Sequence, residues 1–310
     1  MINLTLKQLR YFDSVLKQGH FGRAAETCAV SQPALSIQIK DLEESLGVTL
    51  FERGSRGVTP TAFADSLAPR IRAILREVDE LGEMARAAQG ALSGRLRLGV
   101  IPTVAPYLLP RLISAITENF PDVDLHVRES MTQRLVNELV DGRLDAALVA
   151  LPVNNPALTS VELFTEHLVF VRPAEDAEAP APARDELQKM RLLLLEEGHC
   201  FRDQALSYCG LPSSQPRDGL DGSSLATLVQ MVGSGIGVTM IPEMAIEVET
   251  KSAKVSVSRF SDAEPSRRIG MLWRRTTPLH EQLETVAQIT KDLALAQQDD
   301  IRRSASSEGH

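Results

Sequence analysis

The sequence predicts an all-α winged helix-turn-helix at the N-terminus, a long helix after it, and then an α/β domain built in two subdomains. Three observations carry that prediction. Residues 4–46 place apolar side chains at helical spacing around a tight turn at Ala29-Val30. Residues 67–88 repeat an apolar residue at alternating spacings of 4 and 3. From residue 95 onward, short apolar strands alternate with amphipathic helices. A chain of 310 residues is too long for one small core, which fits several folding units.

Composition bounds the function. The formal charge of −8 argues at first against nucleic acid as a partner. Residues 1–90, however, are balanced, with 11 basic and 11 acidic side chains, and the remaining residues hold 22 and 30. An acidic second domain can follow a DNA-binding head whose affinity rests on a few placed cations and on more than one copy. No run of eighteen apolar residues predicts a transmembrane helix. The start, MINLTLKQLRYF, has no secretory pattern, so the expected compartment is the cytoplasm, without membrane contact. Three cysteines, Cys28, Cys200 and Cys209, suit neither a disulfide framework nor a zinc site, and no cofactor is expected.

Leu4 to Gln18 reads as the first helix, with Leu9, Phe12 and Leu16 on one face and Gly19 as its stop. Phe21, Ala24, Ala25 and Cys28 form the apolar face of a short second helix, on which Cys28 is expected as a buried small residue. Ser31 is a good N-cap for the third helix, and Pro33 is tolerated in its first turn. Leu35, Ile39, Leu42 and Leu46 make its buried stripe. The opposite face holds Pro33, Ser36, Ile37 and Lys40, with Gln32 at the N-terminal end. Such a face suits a recognition helix, with Gln32 reading an adenine edge, Ile37 touching a thymine methyl and Lys40 meeting phosphate. VTLFERGSRGVTPT alternates about Gly54-Ser55-Arg56-Gly57 and predicts a hairpin wing, with Arg53 and Arg56 placed for backbone or minor groove. A plain helical bundle with a solvated face has the same pattern.

The run AAETCAVSQPALSIQIKDLEESLGVTLFER closely resembles the N-terminal domain of LysR-type transcription regulators over residues 4–66. Ala-Ala, Ser-Gln-Pro, Leu-Ser, Leu-Glu and Leu-Phe-Glu-Arg all fall in family order. One departure is Ala64, where the family usually has Gly three residues after Thr. The seam Leu67, Ile71, Ile74, Val78, Leu81, Ala85 and Ala88 fits a pairing helix over 67–92, and the resemblance implies the same dimerising linker.

Gly90 to Gly94 is the expected joint. Strands are predicted at 95–101, 123–129 and 145–151, with helices at 107–119 and 132–142, an order that predicts a parallel sheet. A second subdomain over 166–266 would include LVFVRP, RLLLLEE and GIGVTMIP. The chain then returns through RIGMLWR (268–274) and a helix from Leu279 to Gln297, so the first subdomain comprises 93–165 and 267–298. Leaving one subdomain and returning to it makes a cleft. The resemblance implies two Rossmann-like subdomains arranged like a periplasmic binding protein. Residues 299–310 have no core-forming pattern and are expected to be disordered.

Cys200 and Cys209 lie nine residues apart in one segment, and this is the feature to explain. An apolar strand ends at Glu196-Glu197, Gly198 turns the chain, and Cys200 opens a helix. A thiol reacts as the thiolate, which the positive helix end, His199 and Arg202 would all favour. Nine residues of helix rise about 13.5 Å, whereas a disulfide needs Cα atoms roughly 4.4–6.8 Å apart. Joining the two sulfurs would therefore take the helix apart. Two unrelated core cysteines are the plainer reading.

Gly198-His199-Cys200, then Arg202-Asp203-Gln204-Ala205 and Cys209, is similar to the redox loop of the peroxide-sensing branch of the LysR-type family. That resemblance implies that Cys200 is the peroxidatic thiol and Cys209 the resolving one. It implies that Thr103, Thr132 and His199 hold peroxide, with Arg202, Asp203 and Arg267 (or Arg268) assisting at the site. The function it implies is a regulator, not an enzyme, that controls antioxidant genes such as catalase. Its partners would be double-stranded promoter DNA, RNA polymerase, hydrogen peroxide, glutaredoxin with glutathione or thioredoxin as reductant, and further copies of itself as homodimer or homotetramer. Two alternatives stay open: a LysR-type regulator with a small organic ligand in the cleft, and a thiol peroxidase fused to a DNA head.

Overall fold

The computed structural model describes residues 3–54, 57–87, 92–180, 182–211, 221–260 and 264–307. The chain divides into two units, Met1–Ala85 and Arg86–His310.

In the first unit, helix α1 (Leu6–Gln18) begins with a reciprocal cap. The Thr5 hydroxyl accepts from the Gln8 amide at 3.3 Å, and the Thr5 amide donates to Gln8 Oε1 at 3.0 Å. It stops at Gly19, in the left-handed region at φ 59°. Helices α2 (Phe21–Thr27) and α3 (Gln32–Leu46) follow. Ala29 joins them at φ 53°, the one non-glycine with positive φ among the described residues. Strands β1 (Phe51–Gly54) and β2 (Gly57–Pro60) pair antiparallel as a hairpin. Gly57 is needed there, because a Cβ would stand 2.9 Å from the Gly19 carbonyl, which already accepts from Val58 N–H at 3.0 Å.

Glu43 braces this hairpin. Its Oε1 accepts from the amides of Leu50 (2.7 Å) and Phe51 (3.1 Å). Helix α4 (Ala62–Ala87) starts behind Thr61, whose hydroxyl accepts from the Ala64 amide. Ala64, Ala68 and Ile71 are buried in the same core as Phe12, Leu35 and Leu42. The first turns of the expected linker helix therefore belong to the core of the head. Further along, Ile74 and Leu81 are exposed, Leu81 at 65%. Ala88 lies outside the described residues.

The second unit opens with β3 (Gly94–Val100), α5 (Ala105–Asn119), β4 (Val123–Glu129), α6 (Thr132–Val140) and β5 (Ala146–Leu151). Strand β3 runs parallel to both β4 and β5. The 16-residue β6 (Leu158–Pro173) carries the chain across to the second subdomain. There lie α7 (Arg184–Leu187), α8 (Cys200–Tyr208), α9 (Leu225–Gly233), β7 (Thr239–Pro242), α10 (Ile246–Glu249) and β8 (Val255–Ser258). Strand β9 (Ser266–Arg274) returns, and α11 (His280–Ser307) closes the unit.

The sheet order is β4-β3-β5-β9-β6-β7, with β8 also on β6. The parallel arrangement expected for the strands of residues 95–151 is present, whereas the returning β9, whose direction the sequence left open, is antiparallel to both β5 and β6. Two neighbouring strands that carry the chain out and back have to run in opposite directions. Residues 158–165, for which no strand was expected, pair with β9, and the same strand then pairs with β7 and β8. RLLLLEE makes only two isolated bridges, Leu192 to Val238 and Leu195 to Gly222. The segment 299–307, expected without structure, continues α11 as far as Ser307. Trp273 on β9 is fully buried, and its Nε1–H donates to His280 Nδ1 at 3.0 Å.

Candidate functional site

Cys200 is the first residue of α8, half-buried at the inner edge of the second subdomain. Gly198 delivers it. The chain turns there at φ 94°, where a Cβ would lie 2.8 Å from Met131 Sδ, so only glycine fits the approach. Thr132, the first residue of α6 in the other subdomain, points its hydroxyl at the sulfur, with Oγ1 3.6 Å from Sγ. All three cysteines are free thiols.

A cavity of about 510 Å³ opens beside this point, lined from one subdomain by Thr103, Tyr107 and Met131 and from the other by Glu196, His199 and Ser224. His199, the cap residue of α8, is buried; that burial holds its imidazole below the usual histidine range, although Glu196 and Glu129 pull the other way. At neutral pH it is an uncharged ring, able to donate or accept a hydrogen bond but not to act as the cation expected from the sequence. Across the cavity wall the Tyr107 hydroxyl donates to Glu249 Oε1 at 2.7 Å, and burial, followed by this carboxylate, pushes the phenol well above its ordinary value.

Thr103 and Arg267 meet below the cavity. Arg267 Nη1 donates to Thr103 Oγ1 at 2.7 Å and Nη2 to the Thr103 carbonyl at 2.9 Å. The guanidinium stacks over Phe201, the neighbour of Cys200, at 5.3 Å from the ring centre. Its charge is met by Glu166 at 2.7 Å, and both side chains are almost wholly buried. Burial pushes the Glu166 carboxyl up, and Arg267 opposes that shift. Sequence reasoning missed Glu166; the available signal was a lone acid within the apolar run LFTEHLVFV. Arg268, the alternative to Arg267, pairs instead with Glu162 at an exposed edge.

Arg202 and Asp203 turn elsewhere. Arg202 donates from Nη1 to the Leu195 carbonyl (2.9 Å) and to Asp221 (2.8 Å), which anchors α8 to the segments before and after it. Asp203 is exposed and lines a separate surface hollow with Gln204 and Ser266. Cys209 caps the far end of α8 and has no exposed surface; it packs among Phe170, Leu206 and Phe260.

In the first unit, Gln32, Pro33, Ile37 and Lys40 are exposed on one face of α3, with Ile37 at 58%. Ser36 is half-buried on that face, and Lys40 pairs with Glu44 at 3.4 Å. Ser31 is spent on the helix start, accepting from the Ala34 amide. Arg56 and the side chain of Arg53 lie outside the described residues. Cys28 is half-buried and caps α2 rather than lying within it. No helix among the described residues is long and apolar enough to cross a membrane, and no cluster there could hold a metal ion.

Comparison with known proteins gives two family matches. Residues 6–65 match the bacterial regulatory helix-turn-helix proteins of the lysR family, and residues 89–294 match the LysR substrate binding domain. A probable hydrogen peroxide-inducible genes activator of Streptomyces viridosporus is 43% identical over 87% of this chain and 88% of its own. A full-length OxyR of Pseudomonas aeruginosa with a cysteine-to-aspartate change is 34% identical, with TM-score 0.75 over 93% of this chain and 95% of that one. A hydrogen-peroxide-bound, cysteine-to-serine mutant OxyR of Corynebacterium glutamicum is 33% identical, with TM-score 0.68 over 98% and 96%.

Proposed function

The chain belongs to the LysR family of bacterial regulatory helix-turn-helix proteins, and on that footing we propose that it is a transcription regulator that senses hydrogen peroxide through Cys200 and Cys209. The observation that carries this reading is the placement of Cys200 at a helix start, with the Thr132 hydroxyl at its sulfur and a cleft beside it.

In this mechanism the Cys200 thiolate attacks one peroxide oxygen. The O–O bond breaks, the leaving hydroxide takes a proton to become water, and Cys200 becomes a sulfenic acid. The Cys209 thiol then attacks that sulfur, expels water and closes the disulfide. Thr103 and His199 hold peroxide from the cleft side, and Thr132 donates to the sulfur. Arg267 acts through Thr103, whereas Arg202 positions α8. Closure of the disulfide unravels α8, and the rearranged unit changes how the DNA heads sit on an operator.

Two copies pair through the exposed stripe of α4 at Ile74 and Leu81, and the dimers associate further as a tetramer. Ser31, Gln32, Pro33, Ser36, Ile37 and Lys40, with Arg53 and Arg56 of the wing, face double-stranded DNA. The oxidised form engages RNA polymerase at antioxidant promoters such as those for catalase, in the cytoplasm at the nucleoid. Glutaredoxin with glutathione, or thioredoxin, resets it.

A second reading is favoured by the size of the cleft. A cavity of about 510 Å³ falls in the range of small-molecule sites and far exceeds the roughly 30 Å³ share of a water-sized molecule. On that reading an organic effector sets the conformation and the cysteines are bystanders. Treating the reduced protein with near-stoichiometric peroxide and mapping disulfides by mass spectrometry separates the two, with Cys200→Ser and Cys209→Ser alongside. A 200–209 bond with an altered promoter footprint is expected. Intact thiols with unchanged DNA binding would sink the sensor reading in favour of the effector.

A further inference from the structure

Strands β6 and β9 are the two crossings between the subdomains, and Glu166 and Arg267 face each other across them as paired residues. Glu166 Oε1 accepts from Arg267 Nε at 2.8 Å and from Nη2 at 2.7 Å. That grip leaves Nη1 pointed at Thr103 Oγ1, 2.7 Å away. Arg267 does not line the cleft, whereas Thr103 does, so the cation reaches the cleft through Thr103. A guanidinium can only donate, so Thr103 is the acceptor of this bond and its own proton is not used there. Among the described residues the Thr103 hydroxyl donates to no partner. A hydroxyl whose lone pair faces a cation is a stronger donor, and this one borders the space where peroxide would lie.

We infer that Glu166 is a positioning residue for the peroxide reaction: it locks the Arg267 fork so that Thr103 presents its O–H to the cleft as a donor to peroxide oxygen. This rests on the reading of Cys200 as the peroxide-reactive thiol. Glu166 touches neither substrate nor sulfur, and its effect passes through two side chains. Removal of its negative charge frees the guanidinium to shift and lets the Thr103 proton turn away. Attack by sulfur on peroxide then loses a donor, while attack on a reagent that needs no such donor is unchanged.

The test is the rate of Cys200 modification in the full-length reduced protein, measured with hydrogen peroxide and, separately, with iodoacetamide. Glu166→Gln is expected to slow the peroxide reaction roughly tenfold, the scale of one charge-assisted hydrogen bond, and to change alkylation less than about twofold. Thr103→Val is expected to show the same selective loss, and the double variant to be no slower than Thr103→Val alone. Equal slowing with both reagents would overturn the inference, since Glu166 would then act on the fold or the thiol itself. Additive losses in the double variant would overturn it too. Should Glu166→Gln fail to fold, Glu166→Asp takes its place under the same criteria, because it keeps the buried charge pair with a shorter reach. If the wild-type thiol ignores peroxide, the sensor reading falls and this inference with it. A wild type that reacts, beside a Glu166→Gln that matches it, overturns this inference alone.

Discussion

Cys200 and Cys209 stand at opposite ends of one helix, the first half-buried beside a cleft and the second sealed in hydrocarbon. Nine residues of helix separate them by about 13.5 Å, more than twice the usual Cα separation of a disulfide. Oxidation is therefore expected to convert α8 from a protected to an exposed segment. Hydrogen exchange should show amides of residues 200–208 losing protection after peroxide in the wild type. In Cys209→Ser the sulfenic acid should accumulate, trapped by dimedone, with α8 still protected. Retained protection in a wild type that carries the disulfide would mean that the bond forms without unwinding.

His199 sets a pH limit. Its folded-state pKa is lowered by burial, so between that value and the unfolded value near 6.5 the unfolded chain binds more protons. Its neutral form contributes stability that is fully present above about pH 6.5 and is lost as pH falls through the folded value. Relative to His199→Asn, the wild type should lose denaturant resistance between pH 7.5 and 5.5. Parallel curves for the two proteins would show that His199 is not the group responsible.

The exposed face of α3 divides into cation and reader. Lys40→Ala should weaken operator and random DNA alike and reduce the slope of log affinity against log salt by about 1. Gln32→Ala should instead cost about 1–3 kcal/mol on the operator alone. Fluorescence anisotropy titrations at three salt concentrations measure both. Interchangeable effects of the two variants would refute the assignment of α3 as a reading helix.

Glu43 is expected to hold the wing from within. Glu43→Ala leaves the Leu50 and Phe51 amides without their acceptor, and Leu50 is fully buried. The loss should be about 2–4 kcal/mol, confined to the DNA head, with the second unit unfolding at its usual temperature. Calorimetry resolves the two transitions.

Ala29 pays a small strain for the turn between α2 and α3, at φ 53°. Ala29→Gly should raise stability of the head by about 0.5–1 kcal/mol, the net of strain relief and the added flexibility of the unfolded chain. A lower urea midpoint would show that the methyl group is worth more as packing than it costs as strain.

The head was legible almost residue by residue. The spacing of Leu35, Ile39 and Leu42 dictates which face of α3 is free, and short-range caps such as Ser31 and Gly19 need no knowledge of the rest of the chain. Position of Cys200 at a helix start was legible for the same reason, through Gly198. Arg202 was not, because its partner Asp221 lies nineteen residues away. Charge next to a thiol in sequence says little about charge next to it in space. Glu166 was not legible at all, and Thr103 only through the family resemblance. Arg267, 101 and 164 residues from them, is what joins the two. The direction of β9 was also beyond local pattern, since strand orientation follows from how the chain re-enters the sheet.

Trp273 is the sole tryptophan of the chain, buried on the strand that also carries Arg267. All indole emission therefore originates in the second unit, and the DNA head is dark in that channel. A shift in that emission when operator is added cannot be a local optical effect of the nucleic acid on the reading helix. It would report a change around Trp273 in the second unit, obtained without any label.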